Sequence, residues 1–320
     1  MSAAEPAIEA RGLAKSFGPL KAVTDFFLTV GRGESFALVG PDGAGKTTTL
    51  RMLCGIMDPD AGGSKVLGLD TVSQSEQVKA RIGYMPQRFG LYDDLTVAEN
   101  LSFYADIYRV PTSERRERVP ELVGFSGLGA FQNRLARNLS GGMRQKLGLI
   151  CALVHTPELL ILDEPTCGVD PVSRREFWHI LHGLLGTGLT IMLSTAYLDE
   201  AERAGRVGLM HQGRLLTVDT PESLRAGFKG ELVEVRADDL PAARRLLSSH
   251  PLARRVLVMG DRVMVTVDDA RAARPALRDC LAGAGLAGLA LEQARPTLED
   301  RFVQMIDQGS EAGAAAEAAA

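Results

Sequence analysis

Apolar residues in this chain follow two patterns, short unbroken runs and longer stretches of helical period. Ser35-Phe36-Ala37-Leu38-Val39, Leu159-Leu160-Ile161-Leu162 and Leu189-Thr190-Ile191-Met192-Leu193 are unbroken runs, which predicts buried strands. Leu101, Tyr104, Ala105 and Tyr108 recur at helical spacing, as do Leu147, Ile150, Cys151 and Val154, and then Phe177, Ile180, Leu181 and Leu184. Upstream, Ile8, Phe26, Leu28 and Val30 mark a short antiparallel β region broken by turns at Gly12 and Gly18-Pro19. Thr96 with Glu99 predicts a capping box, and Thr220-Pro221 opens a short helix. The charged run from Glu114 to Arg118 reads as a solvated helix face.

Near Gly230 the pattern starts afresh. Strands are expected at 232–236, 256–259, 263–267 and 286–291, with helices at 241–249 and 274–284. Gly260-Asp261 makes a hairpin turn between the middle strands. The order βαββαβ predicts a small α+β ferredoxin-like unit. It carries no acid pair, histidine cluster or glycine loop, so packing is its expected role. Thr297 caps a last helix with Leu298, Phe302, Met305 and Ile306 on one side. The expected division is a flexible N-terminus at 1–7, a main domain at 8–229, the accessory domain at 230–306 and a disordered Ala/Glu/Gly-rich tail at 307–320.

Composition narrows the function classes. Of 320 residues, 45% are hydrophobic and 24% charged, ordinary globular values. The net charge of −4 with dispersed arginines argues against a nucleic-acid partner. Cys54, Cys151, Cys167 and Cys280 are scattered without a C-x-x-C pair, so they read as small apolar thiols in a reducing compartment. No run approaches the ~20 apolar residues of a membrane span, and residues 1–6 lack a signal-peptide pattern. Any membrane role is therefore expected to come from a separate chain.

The chemistry begins at Gly40-Pro41-Asp42-Gly43-Ala44-Gly45-Lys46-Thr47-Thr48, a match to G-x-x-x-x-G-K-[ST] between a strand and a helix. Its glycines let backbone N–H groups turn inward on phosphates, Lys46 adds a charge, and Thr47 offers a hydroxyl to Mg²⁺. Asp163-Glu164 ends the second apolar strand, a pattern in which Asp163 holds Mg²⁺ and Glu164 orients or deprotonates a water. Gln87 follows a strand ending at Pro86 and is a candidate ligand for a metal or a water. Phe17, ahead of a glycine turn, either stacks on a base or fills a core. Ser140 with Gly141 and Gly142 makes a second glycine-lined helix N-terminus, suited to an anion or to an ordinary cap. His179 and His182 have no metal-ligand partners nearby in sequence.

With these motifs in this order, the chain resembles the ATP-binding subunit of an ABC transporter of the ABC-2 exporter type. The likeness spans about residues 8–305. Leu139-Ser140-Gly141-Gly142-Met143 is similar to the signature L-S-G-G-Q, with Met143 in the last place. The resemblance implies a P-loop NTPase α/β cassette with a RecA-like core, an antiparallel β region and a helical subdomain at about 88–138. It implies ATP and Mg²⁺ as cofactors, with Phe17 on the adenine and residues 40–48 around the phosphates. It also makes Lys46, Gln87 and Glu164 the catalytic set, and Thr47, Gln87 and Asp163 the metal set. Ser140, Gly141 and Gly142 would reach ATP held by the opposite subunit, and Asp170 lies in the D-loop. The partners implied are ABC-2 type permease subunits and a second ATPase subunit, identical or different. Such a protein sits peripherally on the inner face of the cell membrane.

One position departs from the family. The switch histidine is replaced by Ala196, which has no donor. Asp42 stands where Asn is more usual, and the pair is similar to the N-terminal half of tandem two-ATPase multidrug exporters. The functional expectation is thus an export motor, with a slow ATP-binding clamp as the alternative. Soluble ABC proteins of ribosomes or DNA fit less well, because this chain has one unbroken cassette and no basic signature.

Overall fold

The computed structural model describes residues 5–318, with side chains through 308. The backbone divides into two compact units, 1–221 and 222–320. Residues 1–4 of the expected flexible N-terminus, and 319–320, lie outside the described ones.

In the first unit, β1 (Ile8–Phe17) and β2 (Leu20–Val30) form an antiparallel hairpin around Gly18-Pro19. Gly12 is not a turn. It sits inside β1 at φ +60°, where the β1–β2 register shifts between Ala10 and Leu13, so the glycine accommodates a bulge rather than a chain reversal. β3 (Ser35–Val39) leads through the 40–45 loop into α1 (Lys46–Leu53). β4 (Ala61–Val66) and β5 (Leu69–Asp70) complete a four-stranded antiparallel sheet in the order β2-β1-β4-β5.

Next come α2 (Ser75–Arg81), β6 (Ile82–Met85), α3 (Val97–Ile107) and α4 (Thr112–Ser126). The Thr96–Glu99 capping box is formed at the start of α3. Glu114, Arg116 and Glu117 are exposed, while Arg115 and Arg118 are half-buried. Arg115 turns back, donating to the Val110 carbonyl at 2.7 Å and pairing with Asp106 at 2.5 Å, and so fastens α4 to α3.

The unit continues with α5 (Gly141–Leu153), β7 (Leu159–Asp163), α6 (Pro171–Gly186), β8 (Thr190–Thr195), α7 (Leu198–Ala201), β9 (Arg206–His211) and β10 (Arg214–Asp219). The second sheet runs β10-β9-β3-β8-β7-β6 and is parallel except for β10. Every residue of β7 and β8 is buried, the apolar ones as central parallel strands require and Asp163, Ser194 and Thr195 with hydrogen-bond partners. Inserting β8 between β3 and β7 aligns three strand ends, with Val39 beside Thr195 and Ser194 beside Asp163. In parallel α/β sheets the carboxyl ends of the strands form the ligand crevice.

The division falls within the first turn of α8 (Pro221–Ala226), ahead of the 229/230 boundary expected from composition. The second unit then holds β11 (Glu231–Arg236), α9 (Leu240–Ser248), β12 (Arg255–Met259), β13 (Arg262–Val267), α10 (Ala270–Gly283) and β14 (Ala290–Ala294). The antiparallel sheet order β12-β13-β11-β14 is the ferredoxin-like arrangement. Two boundaries differ from the sequence pattern. Asp269 caps α10 through the Ala272 N–H, starting it before Arg274. Gly285 and Gly288 both take positive φ, which delays β14 past Leu286 and Leu289. α11 (Leu298–Ala318) is helical where a disordered tail was expected from 307, because alanine and glutamate are strong helix formers.

Candidate functional site

The 40–45 loop is wedged against backbone on two sides. A Cβ on Gly40 would lie 2.1 Å from the Met210 carbonyl oxygen, and one on Gly45 2.2 Å from that of Ala22. Gly45 also holds φ +102°, closed to other residues, so the sequence spacing of these glycines answers a close backbone approach. No side chain caps α1, which leaves its first-turn N–H groups for an anion. Lys46 is buried, its Nζ donating to the Gly40 carbonyl at 2.7 Å and the Pro41 carbonyl at 3.1 Å.

Across the crevice, Asp163 ends β7 with 1% exposure. Its Oδ1 accepts from Ser194 Oγ at 2.6 Å and Thr47 Oγ1 at 3.1 Å. Glu164 follows in a left-handed backbone conformation, φ +48°, uncommon for a residue with a Cβ. Its N–H is held by Ser194, 3.2 Å from the carbonyl oxygen and 3.0 Å from Oγ. The Glu164 carboxylate is thereby aimed at Lys46 Nζ, 3.1 Å away, and accepts from Gln87 Nε2 at 3.1 Å. A base, a cation and a carboxamide thus meet at one point.

These groups line an open cleft of about 670 Å³. Asp42, Gly43, Ala44, Gly45, Lys46, Thr47 and Thr48 form its floor, with Phe17, Gln87 and Glu164 around them. Phe17 is 47% exposed, which excludes the core alternative and leaves its side chain on the cleft lining. Ala196, Tyr197 and Cys167, with Leu20 and Ala22, complete the lining. All four cysteines are free thiols: Cys54 and Cys151 are buried, Cys280 is half-buried and Cys167 is exposed. Burial pushes the Cys54 and Cys151 thiols up, Cys54 further through the charge of Asp163, so neither serves as a nucleophile.

Ser140, Gly141, Gly142 and Asp170 do not line this cleft. Ser140 caps α5, accepting from the Met143 N–H at 3.3 Å, and Asp170 caps α6 through Val172 and Ser173. Gly142 lies against α6 so closely that a Cβ would come within 2.4 Å of Ser173 Cβ. His179 and His182 are exposed, and among the described residues no group of three or more His, Cys, Asp or Glu could hold a metal.

Two residues of the site escaped the sequence reading. Ser194 is one ordinary hydroxyl in an apolar strand, visible only once the register places it beside Asp163. Glu200 looks like one acid among several in Asp199-Glu200-Ala201-Glu202, yet it is buried and accepts from Thr166 and Thr195. Burial raises its carboxyl pKa, opposed by those two hydroxyls and by Arg174.

The family model described as ABC transporter matches residues 23–167. Over 225 residues the chain is 49% identical to the probable multidrug ABC transporter ATP-binding protein YbhF of Escherichia coli (strain K12), covering 70% of this chain and 39% of that protein. The chain therefore spans about two fifths of that relative's length. With the Nod factor export ATP-binding protein I of Ralstonia nicotianae the identity is 37% over 302 residues, 94% of each chain. Among solved structures, an ATP-binding subunit of an ABC transporter aligns with TM-score 0.63 and 30% identity, over 69% of this chain and 92% of the other. A phosphate loop, a paired Asp-Glu strand end and a signature-like helix in this topology, with the Nod factor export relative matched along 94% of its length, have one explanation: the chain belongs to the ABC transporter ATP-binding protein family.

Proposed function

We propose that this chain hydrolyses ATP to drive export through an ABC-2 type permease carried on separate chains, two ATPase subunits closing on two nucleotides. The observation that carries the reading is the division of the motif residues. Lys46, Thr47, Gln87 and Glu164 share one cleft, while Ser140 and Gly142 do not line it, which supports a site completed by a second subunit. That subunit is either identical or of a second kind. The relatives' names, multidrug transport and Nod factor export, support export as the direction. No described helix is long and apolar enough to cross a membrane, which fits a peripheral place on the inner face, held by the permease.

Phe17 supplies a face for adenine, and the N–H groups and Lys46 of the phosphate loop hold the phosphates. Thr47 and Asp163 converge on one another as oxygen donors with a single carboxylate, and the Gln87 carbonyl is a third donor. Such a set suits Mg²⁺, which prefers few protein ligands plus substrate oxygens and water. When bound, Mg²⁺ neutralises charge on the phosphates. Glu164 is the general base, aimed by Ser194 and Gln87 toward the loop. Lys46 stabilises charge developing on the phosphate oxygens. Asp170 contributes from the D-loop of each subunit.

Mixing tests the division of the site. Lys46→Ala and Gly142→Ala are each expected to abolish ATP turnover alone. Mixed, they assemble dimers with one intact composite site and recover measurable phosphate release. Recovery no greater than the sum of the separate variants would sink the two-subunit reading.

A specific observation favours a second reading, a clamp that binds ATP and turns it over slowly beside a competent partner. Ala196 offers only an exposed methyl at the cleft wall, where a donor is needed. Ala196→His decides between them. A large gain in rate supports the clamp, and an unchanged rate shows that the site works without that group.

A further inference from the structure

Glu200 lies on the one-turn helix α7 and is 1% exposed. Its partners come from three separate elements. Oε1 accepts from Thr166 Oγ1 at 2.6 Å and sits 3.1 Å from Arg174 Nε, and Oε2 accepts from Thr195 Oγ1 at 3.0 Å. Thr166 is two residues beyond Glu164, and Thr195 directly precedes Ala196. Arg174 stands in the first turn of α6, after its cap Asp170, with its guanidinium carbon 4.6 Å from the centre of the Tyr197 ring. Tyr197 lines the nucleotide cleft, and its N–H donates to the same Thr195 hydroxyl.

A well-packed apolar side chain in such a place is often as stabilising as a buried ion pair. A carboxylate that accepts from hydroxyls on the loop after β7 and at the end of β8, and forms an ion pair with the start of α6, instead fixes the register of those three elements. We propose that Glu200 is a positioning residue for ATP hydrolysis. It acts through Thr166 on the loop carrying Glu164. Through Arg174 it acts on α6, whose Ser173 abuts Gly142. One buried group thus ties the wall of a subunit's own cleft to the segment offered to the other subunit. The inference rests on the hydrolytic reading above.

The test uses the full chain with Glu200→Gln, which keeps an acceptor for Thr166 and removes the charge facing Arg174. ATP affinity is measured by calorimetry, and phosphate release is divided by the number of ATP sites that bind. The expected result is an ATP affinity within about twofold of wild type and a kcat lowered about tenfold to a hundredfold, the scale of a small misplacement of reacting groups. Thr166→Val is expected to repeat the kcat loss, and Thr166→Ser, which keeps the hydroxyl, to restore it. A merely structural role would lower the number of binding sites and leave kcat per site unchanged, and that outcome overturns the proposal. If wild-type protein binds ATP but releases no phosphate, the positioning role falls together with the hydrolytic reading. If wild type hydrolyses and both variants turn over within twofold of it, the positioning role falls alone.

Discussion

Lys46 Nζ and Glu164 Oε1 stand 3.1 Å apart, joining the phosphate loop to the strand end that carries the candidate base. Both side chains are sheltered, at 4% and 12% exposure, so neither charge is screened as a surface pair would be. Each is also held from behind, Lys46 by loop carbonyls and Glu164 by Gln87. The pair fixes the distance between the loop cation and the strand-end carboxylate.

Removing either partner leaves the other charge buried alone. Lys46→Ala is expected to lose ATP binding and to destabilise the first unit by about 3–5 kcal/mol. In a Glu164→Gln background the same change should cost less, with a coupling of about 0.5–3 kcal/mol. Urea midpoints of the two single variants and the double variant measure that difference.

Glu164→Gln removes the base and keeps the shape. Phosphate release is expected to fall by about 10²–10⁴-fold, the usual contribution of a positioned general base. ATP binding should persist, and ATP should hold two subunits together longer than in wild type. Steady-state kinetics and size-exclusion chromatography with ATP check the two halves. Retained turnover would show that another group takes the proton.

Ser194 serves both acids at once, donating to Asp163 and accepting from the Glu164 N–H. Ser194→Ala leaves Asp163 without its shortest donor, while the Glu164 N–H keeps the Ser194 carbonyl. A loss of about 1–3 kcal/mol is expected, the range for an unsatisfied buried group. The Mg²⁺ concentration needed for half-maximal turnover should rise as well, because Asp163 is no longer held.

His155 makes stability depend on pH. Its ring stacks on Tyr108 at 3.7 Å, and Nε2 donates to the Ile82 carbonyl at 3.0 Å, so the proton of the neutral ring is on Nε2. Nδ1 is buried without a partner, and burial lowers the pKa from its usual 6.5. Below that value the unfolded chain binds a proton that the folded chain refuses. The stability contribution is complete above about pH 6.5 and is lost as the pH falls toward the depressed folded value. Urea midpoints at about pH 7.5 and about pH 5.5 should separate in wild type and draw together in His155→Gln.

The phosphate loop, the Asp163-Glu164 strand end and the capped helices at Thr96 and Ser140 were legible because each is local. A glycine spacing, an apolar run ending in acids and an N-cap with its glutamate depend on a few consecutive residues. The order of secondary elements in the second unit was legible for the same reason. Its strand and helix boundaries shifted where glycines at 285 and 288 and the cap at Asp269 overrode the apolar pattern. Gly12 misled as a turn, since a glycine with positive φ serves a bulge as well as a reversal.

By itself, then, the sequence determined the candidate phosphate loop, since the spacing of Gly40, Gly45, Lys46 and Thr47 spans a few consecutive residues. Only the tertiary structure decided which groups stand behind it. Placing β8 between β3 and β7 sets Ser194 against Asp163 and brings Thr195 and Thr166 onto Glu200. Ser194 with Asp163 and Thr166 with Glu200 join residues more than thirty positions apart, and a lone serine or one glutamate among neighbouring acids carries no local mark of them. Register, not composition, turned ordinary side chains into the frame that aims Glu164.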